Sequence, residues 1–295
     1  MAPYRYLNFM LRFLIFSMLM TLFNGCSGVF YYPDRVLHIP PEKVGLIAQD
    51  HWFQSNDGTK LNAWHLTDPK RKEKSKGLFV LFHGNAENLS SHHYNLSWAV
   101  KAGYDLFVFD YRGYGRSEGK ATPEGVIQDG ISAISYAHEK IFQPIKLENI
   151  QAKFVVVGQS LGGMIAPQAV MQSPLRLNID LLVLEATFSS YRTLAKNKLQ
   201  ASWATWIFWP LGYAIVHEAT ASKHVLPQLS SPTVIVIHGT ADTIVPMEMG
   251  EEVYATLPDG NKFWWVSENR QHLHALFNNQ TLQTNLLNYL TAIKK

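Results

Sequence analysis

Lys153-Phe-Val-Val-Val-Gly-Gln-Ser-Leu-Gly-Gly163 sets a β-branched run directly against a Gly-x-Ser-x-Gly motif, and that junction leaves the backbone little choice. Phe154 to Val157 reads as a strand of the kind buried on both faces of a parallel sheet. An apolar segment suited to a helix follows Gly163, so Ser160 falls on a sharp strand-to-helix turn. A residue on such a turn is strained, and small neighbours such as Gly158 and Gly162 let the helix start beside the strand. The turn holds the hydroxyl above the sheet edge. The next backbone N–H, that of Leu161, then faces any oxyanion that forms at the helix N-terminus.

A serine hydroxyl is a poor nucleophile at neutral pH and needs a base, which in turn needs an orienting carboxylate. On this type of turn the expected chain order is serine, acid, histidine. Thr233-Val-Ile-Val-Ile-His-Gly239 reads as another buried strand, with Asp242 in the loop after it. Phe263-Trp-Trp-Val266 reads as the next strand, and the loop beyond carries His272 and His274. Ser160, Asp242 and His272 thus each follow the C-terminal end of a strand, where sites form in open α/β sheets. Asp242 also suits an N-cap for the helix after Pro246. Glu185, which ends the strand Leu181-Leu-Val-Leu184, is the alternative orienting acid or a tie for the next loop. His272 is preferred over His274 as base because His274 begins the helical pattern Ala275-Leu-Phe277.

Gly77-Leu-Phe-Val-Leu-Phe-His-Gly-Asn-Ala86 is a further buried strand, ending in a turn into a helix from about Asn88. The amide of Asn85, or that of Ala86, is placed to be the second oxyanion donor beside Leu161. Asp105-Leu-Phe-Val-Phe-Asp-Tyr-Arg-Gly-Tyr-Gly-Arg-Ser-Glu-Gly119 is another such strand running into a glycine-rich loop. Asp110 and Arg112 are expected to pair and shape that loop.

These segments together resemble the α/β-hydrolase superfamily, from about Trp52 to the C-terminus. His83-Gly-Asn-Ala86 with Asp110-Tyr-Arg-Gly-Tyr-Gly115 looks most like the subgroup of bacterial lipoprotein hydrolases and eukaryotic depalmitoylating serine hydrolases. The resemblance implies Ser160 as nucleophile, Asp242 as acid, His272 as base, and the amides of Asn85 and Leu161 as oxyanion hole. It departs from the family at Gln271, where members often carry glycine before the base.

Residues 1–26 differ from the rest. Arg5 and Arg12 precede Phe13-Leu-Ile-Phe-Ser-Met-Leu-Met-Thr-Leu-Phe23, an uncharged core of 11 residues. A comfortable membrane span needs about 20 residues, so this core fits a signal peptide better. The chain's single cysteine, Cys26, sits directly after Gly25 at the end of this core, and Leu22-Phe-Asn-Gly-Cys26 resembles a bacterial lipoprotein signal. The expectation is a membrane-anchored domain of the bacterial cell envelope, lipidated on Cys26 or held by an uncleaved anchor.

Residues 27–49 read as an approach segment and 50–295 as one α/β-hydrolase domain. The alternation of strand and helix from Leu78 predicts a mostly parallel central sheet with helices on both faces. Ser55-Asn-Asp-Gly-Thr59 reads as a hairpin turn. Across 188–226 the alternation stops. Trp203, Trp206, Ile207, Phe208, Trp209, Leu211 and Tyr213 make this segment a helical, aromatic lid suited to a hydrophobic acyl group. A net charge of +3 is too small to argue for nucleic acid, so the expected partner is a small-molecule or lipid-like ester. For His92, His93, His217 and His224 the sequence pattern suggests no coherent partners. His272-x-His274 lacks a third ligand, and neither metal nor cofactor is expected.

Overall fold

The computed structural model describes residues 30–200 and 209–293. The leader 1–26 with Cys26, and Trp203, Trp206, Ile207 and Phe208, lie outside the described residues. Eight strands form one sheet: β1 (Ile47–Gln54), β2 (Lys60–Thr67), β3 (Gly77–Phe82), β4 (Asp105–Phe109), β5 (Lys153–Gln159), β6 (Leu181–Glu185), β7 (Thr233–Gly239) and β8 (Lys262–Ser267). The order is β1-β2-β4-β3-β5-β6-β7-β8. β2 is antiparallel to both β1 and β4, and every other pairing is parallel. The hairpin turn closes as expected, with Ser55 N–H donating to Thr59 O at 2.8 Å and Gly58 at a φ of 87°. β1 begins at Ile47, inside the segment read as an approach to the domain.

The helices are α1 (Leu89–His92), α2 (Ser97–Lys101), α3 (Pro123–Ala137), α4 (Gln143–Glu148), α5 (Leu161–Gln172), α6 (Tyr191–Gln200), α7 (Trp209–Ile215), α8 (Met247–Thr256), α9 (His274–Phe277) and α10 (Gln280–Ala292). Local chemistry starts the longer ones. Thr122 accepts from Gly125 N–H and precedes Pro123 at the head of α3, and Asn279 accepts from Leu282 N–H at the head of α10.

Strands β3 to β6 are buried along their whole length, so both sheet faces must be covered. The side-chain period of two divides them. Phe79, Leu81, Val155, Val157, Leu181, Val183, Ile235 and Ile237 pack with Ala99 and Val100 of α2, Leu276 of α9 and Leu282, Leu286 and Leu290 of α10. The alternate residues face the opposite layer: a Cβ on Gly130 of α3 would run into Phe82 and Ala169 of α5, and one on Gly250 of α8 into the His238 ring. Each such fully buried Leu, Val or Phe contributes about 1.5–3 kcal/mol to holding the central strands against the helices.

The chain leaves β3 toward β4 on one side and later leaves β5 toward β6 on the other. The loops after β3 and β5 therefore diverge at the C-terminal ends of these two strands, the place where open α/β sheets bind ligands.

The described residues divide into two units, one made of Tyr31–Ser190 with the residues from Thr220 onward, the other of Tyr191–Ala219 with Phe30. In the second, Arg192 donates from its main chain to Glu218 at 3.0 Å and from Nε to Val216 O at 2.9 Å. Its guanidinium lies over Tyr213, and the Lys196 ammonium over Trp209. Among the described residues no helix is long and apolar enough to cross a membrane.

Candidate active site

Ser160 joins β5 to α5 with φ 54° and ψ −114°, a left-handed conformation that costs a non-glycine residue about 1–3 kcal/mol. The flanking glycines explain how the turn is tolerated. A Cβ on Gly158 would lie 2.7 Å from Gly162 O, and one on Gly162 would collide with the main chain of Phe82 and His83. The elbow thus presses α5 directly against the end of β3.

The three residues named from the sequence converge. His272 Nε2 lies 3.0 Å from Ser160 Oγ, and His272 Nδ1 lies 2.7 Å from Asp242 Oδ2. A carboxylate only accepts, so Nδ1 carries the proton and Nε2 presents its lone pair to the serine O–H. Leu273 takes a φ of 60°, and His274 N–H donates to Gln271 O at 3.1 Å. This tight turn sends His272 to the serine and leaves His274 exposed beside Phe277.

Asp242 is buried, and its Oδ1 accepts from the amides of Ile244 and Val245 at 2.9 Å each. Burial alone would push its carboxyl up. Hydrogen bonds from His238 and His272, the His272 charge and the Val245 amide outweigh that and hold it well below the carboxylate range. It therefore caps a turn and also meets the histidine.

Glu185 makes no contact of this kind. Its Oε1 accepts from Leu276 N–H at 2.8 Å and its Oε2 from Gln159 Nε2 at 2.7 Å. The structure gives it neither use read from its sequence position: it is not the orienting acid, and its carboxyl ties Gln159 and the distant Leu276 and not the loop that follows it.

At the end of β3, a Cβ on Gly84 would lie 3.5 Å from Ser160 Cβ, so the His83–Ala86 turn sits against the elbow. Asn85 is anchored by its side chain, Oδ1 accepting from Tyr32 N–H and Tyr114 O–H at 2.9 Å each. Ala86 and Glu87 both take positive φ, 61° and 55°, and His92 Nε2 donates to Ala86 O at 3.2 Å. Across the elbow, Leu161 is the first residue of α5, and its N–H is one of the amides a helix start leaves unpartnered.

Three local expectations change. Asp110 and Arg112 do not pair. Arg112 binds Asp129 through Nε and Nη2 and Asp57 through Nη1, the last two at 2.7 Å, because these carboxylates surround its fork. Asp110 lies instead at the start of α1, where its Oδ1 accepts from the otherwise orphaned Leu89 N–H at 2.7 Å. His92 and His93 do have partners: His92 stacks on His83, and His93 Nε2 donates to Ile39 O at 2.9 Å. The approach segment also contributes more than a path. Tyr32 N–H meets Asn85, Asp34 N–H meets Glu87 O, and Ile39 N–H meets Ser90 O. Those pairings span some fifty residues of chain and have no local sequence signal.

Two buried carboxyls favour the protonated state. Burial pushes both Asp110 and Glu185 up to about 7, from ordinary values of 3.8 and 4.5. Asp34 adds to the rise at Asp110 and Asp242 to that at Glu185, while Arg116 and His238 respectively oppose it. From about pH 4 to 7 the unfolded chain releases these protons while the folded chain keeps them, so stability falls as pH rises through that window. Asp242 acts oppositely, and its contribution is lost only in stronger acid. Urea unfolding at pH 5 and pH 8 should show a decline on the order of a few kcal/mol, flattened by Asp110→Asn and by Glu185→Gln. An unchanged slope in both variants would refute the assignment.

Among the described residues no three His, Cys, Asp or Glu side chains gather as metal ligands.

Comparison with known proteins matches this architecture. The sequence profile of the family described as "Serine aminopeptidase, S33" matches residues 73–225. The uncharacterized protein YfhR of Salmonella typhi is 33% identical over 253 residues, covering 79% of this chain and 80% of that protein. The lysophosphatidylserine lipase ABHD12 of Danio rerio is 26% identical over 230 residues, covering 70% of this chain and 58% of that protein. The Pyrococcus furiosus esterase Pf2001 superposes with a TM-score of 0.68 at 19% identity, covering 88% of this chain and 97% of the esterase. With its serine elbow at the switch point of an eight-stranded, mostly parallel sheet, the chain belongs to this hydrolase family of the α/β-hydrolase superfamily.

Proposed function

We propose that the protein is a serine hydrolase that cleaves carboxylic ester or thioester bonds of a hydrophobic acyl substrate through an acyl-enzyme. The observation that carries this reading is the unbroken chain from Asp242 Oδ2 through His272 to Ser160 Oγ, at 2.7 and 3.0 Å. In this reading Ser160 Oγ attacks the acyl carbon as His272 Nε2 takes its proton. Asp242, held ionised, keeps Nδ1 protonated and stabilises the imidazolium. The amides of Leu161 and Asn85 meet the oxyanion, and the imidazolium then protonates the leaving alkoxide or thiolate. Water, deprotonated by the same imidazole, attacks the acyl-enzyme, releases the acid and restores the serine.

The aromatic composition of 188–226 supports a hydrophobic acyl group, as does a relative named for lipase action on a lysophospholipid. The apolar core before Cys26 supports tethering of the domain to a membrane as an envelope lipoprotein. The same triad cuts amides, and the family's description as an aminopeptidase favours that second reading. A panel of p-nitrophenyl esters from acetate to palmitate, run beside aminoacyl p-nitroanilides, separates the two. The proposal expects kcat/KM to rise with acyl length and every ester to exceed every anilide. Faster cleavage of the anilides overturns it in favour of a peptidase.

A further inference from the structure

We propose that Glu185 is a positioning residue of the hydrolytic site: its buried side chain braces the nucleophile elbow against the helix behind the base. This rests on the triad reading above and extends it to a group that touches none of the three residues through its side chain. Glu185 ends β6 in register with Gln159 on β5, one residue before the serine. Its main-chain oxygen accepts from Ser160 N–H at 2.9 Å, so the strand end already holds the elbow. Its carboxyl then reaches in two directions. Oε2 accepts from Gln159 Nε2, and Oε1 accepts from Leu276 N–H, 91 positions along the chain.

Leu276 lies in the first turn of α9, whose amides have no intrahelical acceptors. A side chain from a distant strand thus caps that short helix, while the Leu276 side chain is fully buried in the core beneath it. Upstream of α9, the Gln271–His274 turn carries the imidazole. The distance from Ser160 Oγ to His272 Nε2 is therefore set at both ends by one residue. No water-filled space is needed, because Glu185 is 0% exposed and its two donors satisfy both oxygens. The brace survives protonation. A neutral acid keeps Oε1 for Leu276 and donates from Oε2 once the Gln159 amide turns over, and glutamine at 185 reproduces that pattern.

The test compares Glu185→Leu, Glu185→Gln, Gln159→Met and Ser160→Ala in the full-length protein, with thermal melting as a check on folding and kcat and KM read on one p-nitrophenyl ester. Displacing a reacting group by about 1 Å costs about 100-fold, so Glu185→Leu should lose about that in kcat with KM changed less than about threefold. Glu185→Gln should stay within about threefold of wild type, and Gln159→Met should lose about tenfold in kcat. A folded Glu185→Leu protein with wild-type kcat overturns the proposal, as does a Glu185→Gln protein as impaired as Glu185→Leu. If Glu185→Leu does not fold, wild-type kcat in Gln159→Met overturns it instead. Activity surviving in Ser160→Ala is a separate failure, that of the serine mechanism itself.

Discussion

Ser160→Ala is expected to lower kcat on p-nitrophenyl esters by about 10⁴–10⁶-fold while leaving the melting temperature within a few degrees of wild type. The size follows from the division of labour at the site. Without the hydroxyl no acyl-enzyme forms, and only substrate binding and the two oxyanion amides remain to assist direct attack by water. The fold should not respond, because the elbow is held by main-chain contacts: Ser160 N–H to Glu185 O, and Gly163 N–H to Ser160 O at 3.0 Å. Steady-state assays beside calorimetry check both halves. Activity within tenfold of wild type would exclude Ser160 as the nucleophile.

The second large effect separates the two histidines of one loop. His272→Ala should lose about 10⁴-fold or more in kcat, whereas His274→Ala should stay within about threefold. His272 bridges Asp242 and Ser160, while His274 is exposed at the start of α9 with its ring beside that of Phe277. Asp242→Asn should approach the His272 loss, about 10⁴-fold, because an amide donor facing Nδ1 favours the tautomer that cannot accept the serine proton. Retained activity in His272→Ala with loss in His274→Ala would reverse the assignment of the base.

The site is legible in the sequence to the extent that its parts end strands. Val155–Val157 and Val234–Ile237 are continuous apolar runs that only a sheet covered on both faces explains, and the loop after each such run emerges at one rim. That logic, with the serine–acid–histidine chain order and the helical pattern that begins at His274, selects Ser160, Asp242 and His272 without knowledge of their separations. The same logic cannot settle Glu185, since an acid at a strand end serves equally as orienting group or as anchor. Only the register of β6 beside β5, and the arrival of Leu276 from the last β-to-α connection, decides between them.

Ion pairing is less legible. Asp110 and Arg112 sit two apart and carry opposite charges, which suggests a pair. Arg112 instead meets Asp57 from the hairpin and Asp129 from α3, and neither distance is written locally in the chain. The roles of His92 and the Tyr31–Ile39 segment escape the sequence for a related reason. Apart from the Asn85 amide oxygen that meets Tyr32 N–H, the acceptors in these pairings are main-chain oxygens of Ala86, Glu87 and Ser90, and main-chain acceptors leave no mark on residue type.

A fluorophosphonate reads covalent chemistry at the Ser160 hydroxyl directly. Intact-protein mass spectrometry after treatment, combined with peptide mapping, should find a single phosphonyl adduct on the peptide containing Ser160. Labelling should be lost in Ser160→Ala and strongly slowed in His272→Ala. An adduct elsewhere, or labelling that persists without the Ser160 hydroxyl, would contradict the account.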